Sequence, residues 1–333
     1  MEASPPLDAV KRSYLVPERR LPLVIEPSVD GLNLADFAAG HRSVLEKELL
    51  DHGAILFRGF GILEPESLEA FATAVCSSLF DENGEHPHDS VSGNVYTPVF
   101  YSPAKKLLWH NENSFNYRWP RKIMFCCVDP ADEGGETPIV DSRAVFAAID
   151  PEVRRRFMKG GLIYSRNYGE GLGLDWTDVF HTEDRGYVEE YCRQNDLEFE
   201  WREDGGLRTR CRRPSVIRHP ETGDASWFNQ AQHWHLACLD SETRTSLEYI
   251  FEEEDLPRNC FFGNGDAIPD SDMEHIMDVY ERLEVAFPWQ AGDVLLVDNI
   301  LCAHARNPYS GDRKLLVAMG DMASYQEVAG LEE

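Results

Sequence analysis

Leu107-Leu108-Trp109-His110-Asn111-Glu112-Asn113-Ser114-Phe115 sets an imidazole and a carboxylate one residue apart, directly after an apolar run. On an extended segment, residues two apart lie on one side of the chain, so His110 and Glu112 are predicted to face the same way. Together they can occupy adjacent positions of an octahedral ion, and a second imidazole would complete one triangular face and leave three positions open. Iron(II) suits this mixed nitrogen and oxygen set, and the open face has room for a bidentate 2-oxo acid and dioxygen. An isolated His-x-Glu is more often a surface pair than a ligand pair, so the third ligand decides the matter.

Downstream, Val294-Leu295-Leu296-Val297-Asp298-Asn299-Ile300-Leu301-Cys302-Ala303-His304 supplies it. The apolar run is predicted to be a buried strand that ends in a turn and delivers His304 to the pocket mouth. Beyond His304, a turn over Ala305 to Asp312 leads to Arg313 and the apolar strand Lys314 to Met319. Arg313 is placed at the start of that returning strand, where its planar fork can hold a distal carboxylate of the co-substrate. Arg306 is the other candidate, but it lies in the turn.

His110-x-Glu112, the distal His304 and the downstream Arg313 resemble the taurine dioxygenase and clavaminate synthase superfamily of Fe(II)/2-oxoglutarate-dependent oxygenases. Glu133-Gly134-Gly135-Glu136-Thr137 resembles that family's Gly-Gly-x-Thr segment, whose threonine hydroxyl binds the 2-oxoglutarate carboxylate, so the resemblance implies this role for Thr137. Trp109 to Met319 is similar to the branch containing the syringomycin-pathway aspartyl hydroxylase and other oxygenases of nonribosomal-peptide pathways. It implies a double-stranded β-helix (jelly roll, cupin-like) with Fe(II), and with 2-oxoglutarate and O2 as co-substrates. The implied substrate is an amino acid or a derivative of one, free or tethered to a peptidyl carrier protein, and the implied outcome is hydroxylation of an unactivated carbon in natural-product biosynthesis. Desaturation or oxidative cyclisation are alternative outcomes of the same chemistry. Halogenating relatives carry a small residue in place of the carboxylate, and Glu112 argues against that branch. Outside the oxygenases, a zinc hydrolase or a metal-free binding protein on the same fold are the rival expectations.

The composition is globular, with 42% hydrophobic residues, and 32 Lys plus Arg stand against 59 Asp plus Glu in 333 residues. The formal charge of −27 repels a polyanion, so nucleic acid is not an expected partner. No stretch resembles a membrane span or a secretory h-region, and the eight cysteines include no C-x-x-C pair. The expectation is a cytoplasmic protein, without membrane association, whose thiols are reduced and mostly buried.

One domain spanning 1–333 is expected. Residues 1–31, rich in proline and without a clear period, read as an arm packed over it. A helical pattern runs from Leu32 to Leu50, a short strand from Ala54 to Phe60 and another helix from Pro65 to Leu79. From about 122 to 319 the texture is of short apolar strands bounded by turn residues, with late helices such as Ser271 to Leu283; this is mainly β with flanking helices, the pattern of a jelly-roll core with helical insertions.

Other candidates are weaker. His86 with His88 and His233 with His235 have ligand spacing but lack a third ligand, although His235 is a candidate substrate contact. Trp227 and Asn229 suit either core packing or a pocket that reads polar groups. Tyr164, Arg166 and Asn167 put a cation among aromatic residues, which suits a clamp on a substrate carboxylate or a surface ion pair. Gly263-Asn264-Gly265-Asp266 lacks the lysine of a phosphate loop and reads as a turn.

Overall fold

Apolar runs that continue without polar interruption, such as Val294–Val297 and Leu315–Met319, are buried on both faces in the computed structural model, and their alternate residues enter two different cores. The structure describes residues 5–16, 18–80, 90–169, 175–328 and 330–331. In chain order the strands are β1 Val10–Val16, β2 Arg19–Pro27, β3 Ala54–Phe57, β4 Ser90–Ser92, β5 Val95–Tyr96, β6 Leu107–His110, β7 Arg118–Asp129, β8 Glu133–Gly134 and β9 Ile139–Asp141. There follow β10 Leu162–Tyr168, β11 Glu198–Trp201, β12 Leu207–Arg213, β13 Val216–Arg218, β14 Ala225–Trp227 and β15 Arg258–Phe262. The last are β16 Val294–Asp298, β17 Cys302–Arg306, β18 Tyr309–Ser310 and β19 Lys314–Ser324.

The chain forms two compact units. The first comprises Met1–Glu112, Trp119–Ser142 and Glu284–Ala323, and the second Asn113–Arg118, Arg143–Leu283 and Ser324–Glu333. In the first, an eight-stranded sheet runs in the order β1-β2-β3-β16-β7-β19-β5-β4, and a three-stranded sheet in the order β6-β17-β9. Strand β16 lies antiparallel between β3 and β7, with Leu296 opposite Ile55 and Met124. Residues Ile55, Phe57, Met124, Cys126, Val294, Leu296 and Leu316 point to one face of the large sheet. There they pack with Leu34, Phe37, Leu45, Leu49, Leu68 and Phe71 from helices α1 Leu34–Gly40, α2 Arg42–His52 and α3 Pro65–Val75. Their neighbours Ile123, Phe125, Leu295, Val297, Leu315 and Val317 point to the other face and close on Ile139 and Cys302 of the small sheet. Two sheets facing each other over one core are the expected double-stranded β-helix.

The second unit has its own sheet, β11-β12-β10-β15, the hairpin β13-β14, and a separate core built around Tyr168, Trp176, Phe180, Val188 and Leu207. The expected late helix is present as Asp270–Leu283. All eight cysteines are free and, apart from Cys238, buried; burial pushes the Cys76 and Cys126 thiols up to about 12. Among the described residues no helix is long and apolar enough to cross a membrane.

Three expectations are corrected. Val10–Val16 and Arg19–Pro27, expected to be part of an arm laid over the domain, are instead strands β1 and β2 of the large sheet, with β2 parallel to β3. Pro22, one of the prolines of this stretch, falls in the irregular step between the pairs Tyr14↔Leu23 and Val16↔Arg19. A missing N–H is tolerated there. Residues 1–4 and 17 lie outside the described residues. The helical pattern from Leu32 to Leu50 is two helices, broken at His41. The jelly roll also draws strands from Val10 to Ser324, well before the expected start at 122.

Candidate metal centre

Asp298 ends β16 by accepting hydrogen bonds from the Ile300 and Leu301 N–H groups, both at 2.9 Å on Oδ1. This turn starts β17, and His304 sits in the middle of it, paired in register with His110 at the end of β6. His304 thus follows β16 by one turn and stands within β17. Facing positions on neighbouring antiparallel strands bring the two imidazoles together, with ring centroids 4.3 Å apart. Phe125 packs against the His304 ring at 4.9 Å.

Glu112 is not on the strand. It lies in the turn after β6, and its Oε2 is 3.6 Å from His110 Nε2 and 3.7 Å from His304 Nε2. His110 and His304 are only 7% and 5% exposed, whereas the Glu112 side chain is 25% exposed. The turn is held from β16's end: the Glu112 N–H donates to Asn299 Oδ1 at 2.6 Å, and Asn299 Nδ2 donates to the carbonyls of Glu112 at 2.9 Å and Pro120 at 2.8 Å. Asn111, fully buried, donates to the Asn299 carbonyl at 2.7 Å. Sequence reasoning did not single out Asn299 as a support; an Asn in the turn after a buried strand was the available signal.

His110 Nδ1 lies 2.8 Å from the Leu108 carbonyl, which accepts only from an N–H, so in the neutral tautomer the lone pair is on Nε2. Burial drives His304 down to about 4, helped by the His110 charge and opposed by Glu112. Burial alone would raise the Glu112 carboxyl, but hydrogen bonds and charge from the two histidines hold it well below the ordinary range. A neutral imidazole at His304 and an ionised carboxylate at Glu112 are the forms that bind metal. One ligand atom from each of the three residues lies within 4.8 Å of the others. Atoms sharing an ion with bonds of about 2.0–2.2 Å must lie closer than about 4.4 Å, and both histidine–glutamate separations satisfy this. The donor set fits iron(II) and leaves positions open.

Arg313, just before β19, donates from Nε to the Gly135 carbonyl at 2.9 Å. Among the described residues it forms no ion pair. Burial, with the Arg306 charge, pulls it down to about 10. Gly134 and Gly135 both have left-handed φ; a Cβ on Gly134 would sit 2.2 Å from the Pro308 carbonyl oxygen, and one on Gly135 3.0 Å from Arg313 Cδ. The other candidate, Arg306, spends its guanidinium on the carbonyls of Tyr101, Ser102 and Lys105. Thr137 is buried and accepts from the Trp289 indole at 3.2 Å. Indole only donates, so the Thr137 hydroxyl keeps its proton for another acceptor. Nothing in the sequence pointed to Trp289.

The substrate candidates all lie in the second unit. Tyr164 accepts from the Gln230 N–H at 3.0 Å, packs on Trp234 at 5.1 Å, and burial pushes its phenol far above the ordinary value. Arg166 is buried, with its guanidinium 4.7 Å from the Tyr168 ring centroid. Asn167 donates to the Glu254 and Leu256 carbonyls and accepts from Arg208. Asn229 donates to the Ser215 carbonyl and accepts from the Ala231 N–H. His235 donates from Nε2 to the Ile268 carbonyl and accepts at Nδ1 from the Ala237 N–H. Trp227 is fully buried against Phe157. The amide of Asn229, the Asn167 amide nitrogen and the ring of His235 are thus committed to neighbouring backbone, and the Asn167 amide oxygen to the Arg208 guanidinium. His233 sits on a short helix, and His86 and His88 lie outside the described residues.

The chain is 35% identical over 300 residues to the dapdiamide synthesis protein DdaC of Enterobacter agglomerans, covering 90% of each chain. It is 31% identical over 289 residues to a clavaminate synthase-like protein of Arabidopsis thaliana, covering 83% of each. Among solved structures, PvcB, an Fe, alpha-ketoglutarate dependent oxygenase from an isonitrile synthetic pathway, superposes with a TM-score of 0.54 at 17% identity, covering 96% of this chain and 94% of that one. That likeness is one of fold. A sequence model of the family matches residues 18–319, and the chain belongs to the taurine catabolism dioxygenase TauD, TfdA family and is an iron- and 2-oxoglutarate-dependent dioxygenase.

Proposed function

We propose that this dioxygenase hydroxylates an unactivated C–H bond of an amino acid or amino-acid derivative, free or carried on a peptidyl carrier protein, in natural-product biosynthesis. His110, Glu112 and His304 hold the iron, and Thr137 and Arg313 hold the distal carboxylate of 2-oxoglutarate. The whole chain acts as one oxygenase domain, a reading supported by the family match, which runs through segments of both units. The observation that carries the proposal is the convergence of three ligand atoms from β6, the turn after it and β17. The biosynthetic setting is supported by DdaC, named for dapdiamide synthesis, and by PvcB, described as part of an isonitrile pathway.

When bound, iron and 2-oxoglutarate supply oxygen-dependent decarboxylation of the 2-oxo acid, to succinate and carbon dioxide, coupled to oxidation of the substrate. The protein's own part is positional. Asn299 fixes the Glu112 backbone, the Leu108 carbonyl fixes the His110 tautomer, and Trp289 leaves the Thr137 hydroxyl ready to donate. Arg166 is retained as the candidate cation for a substrate carboxylate, with Tyr164, on the same strand, and Trp227 as further candidate contacts.

Anaerobic titration of the Fe(II) protein with 2-oxoglutarate is expected to give a weak visible charge-transfer band, absent from His110→Ala and His304→Ala. Turnover is then screened over free amino acids and carrier-bound aminoacyl groups. Succinate formed without hydroxylated product from any substrate that stimulates turnover would sink the hydroxylase reading and leave the oxygenase class intact.

A further inference from the structure

Two arginines flank one tyrosine in the segment between β17 and β19. The Tyr309 ring centroid lies 5.2 Å from the Arg306 guanidinium carbon and 5.4 Å from that of Arg313. Tyr309 itself is fixed by pairing with Gly134 and by donating its N–H to the Pro103 carbonyl. Arg306 is held by three carbonyls of the 101–105 segment. Among the described residues neither guanidinium has a carboxylate partner, and Arg313 has a single hydrogen bond, from Nε, so its terminal nitrogens are uncommitted. Two like charges placed near one aromatic ring, with no ion-pair partner among the described residues and only the more distant Glu136 carboxylate acting on Arg313, favour an anion that joins them. A ring placed against a guanidinium also restricts the tilt of its plane, and the bidentate grip on a carboxylate depends on that plane.

We infer that Tyr309 and Arg306 are positioning residues for 2-oxoglutarate: the Tyr309 ring, backed by the immobilised Arg306, holds the Arg313 fork in the plane that receives the distal carboxylate. The inference rests on the reading that Arg313 binds that carboxylate. It accounts for an arginine at position 306 that takes no part in an ion pair, and for an aromatic residue at 309.

The test compares two ligands by calorimetric titration of the Mn(II)-loaded protein. 2-Oxoglutarate has the distal carboxylate; 2-oxobutyrate chelates the metal through the same 2-oxo acid group and lacks it. Tyr309→Leu is expected to weaken 2-oxoglutarate by about tenfold, in line with loss of a desolvated cation–π contact, and to leave 2-oxobutyrate within about twofold. Tyr309→Phe keeps the ring and restores 2-oxoglutarate binding. Equal loss of both ligands in Tyr309→Leu, or no loss of either, overturns the inference. Arg313→Met separates the two levels: if it binds 2-oxoglutarate as wild type does, the underlying assignment of Arg313 fails. If it loses 2-oxoglutarate selectively while Tyr309→Leu does not, the positioning role alone fails.

Discussion

Replacing Asn299 by alanine removes three hydrogen bonds at once, to the Glu112 N–H and to the carbonyls of Glu112 and Pro120. Asn299 is fully buried, so the cavity left behind is small and closed, and the Pro120 carbonyl is left without its partner. A buried polar group left unpaired costs about 1–3 kcal/mol. The two Glu112 backbone groups are only partly buried and regain some hydration, so the total is expected at about 2–4 kcal/mol. The same bonds tie the turn carrying Glu112 to the end of β16, and outer contacts of this kind are worth about 10–100-fold in metal affinity. Asn299→Ala is therefore expected to lower both the denaturant midpoint and the Mn(II) affinity. Asn299→Asp is expected to be worse on both, because it sets a carboxylate against two carbonyl oxygens. Guanidinium unfolding of the metal-free protein gives the first quantity and competitive Mn(II) titration the second. A variant destabilised as expected but binding Mn(II) like wild type would refute the claim that Asn299 positions the carboxylate.

Three further outcomes follow from other parts of the first and second units. Lys122, buried between Glu46 at 2.6 Å and Asp321 at 3.1 Å, has its pKa lifted by those carboxylates against the opposing effect of burial; Lys122→Met strands two partly exposed anions and is expected to cost about 2–3 kcal/mol in urea unfolding, less than a fully buried pair would. Gly135→Ala combines a left-handed φ of +73° with a Cβ 3.0 Å from Arg313 Cδ, so the 2-oxoglutarate KM is expected to rise several-fold, with Mn(II) affinity unchanged. Burial lowers the pKa of His235, so the folded chain binds fewer protons there than the unfolded chain; stability is expected to fall as pH drops below the ordinary histidine range, and His235→Gln to flatten that slope in midpoints measured from about pH 7.5 to about pH 5.5.

The large sheet was legible because its central strands are buried on both faces, which leaves uninterrupted runs such as Val294–Val297 that only a strand of this length explains. Its edge was not. The first two strands alternate imperfectly and carry Pro22 at an irregular pairing step, so local pattern and proline both spoke for an arm. At the site, the imidazoles, the carboxylate and Arg313 declare themselves by residue type. Their supports do not: Trp289 acts on Thr137 across 152 positions of chain, and Asn299 on Glu112 across 187, distances over which local periodicity says nothing. The polar candidates for substrate contact show the converse. Asn167, Asn229 and His235 have the chemistry of recognition, yet each donates a side-chain N–H to a backbone carbonyl of the fold.

The misplacement of Glu112 has a geometric cause. Along a strand, residues two apart share a side but are separated by about 6.6 Å. A metal with bonds of about 2.0–2.2 Å asks for donor atoms closer than about 4.4 Å, so two ligands so spaced on a straight strand must lean toward each other. This protein takes its two imidazoles from facing positions of β6 and β17 and brings the carboxylate back by ending β6 at His110, so that Glu112 Oε2 comes within 3.7 Å of both Nε2 atoms. A turn has less intrinsic rigidity than a strand, and the buried amide of Asn299 supplies what the ladder would have given: one acceptor and one donor for the backbone of Glu112. The carboxylate is thus the proposed ligand whose position depends most on a side chain outside the triad, and the one whose displacement is expected to be felt first in metal affinity.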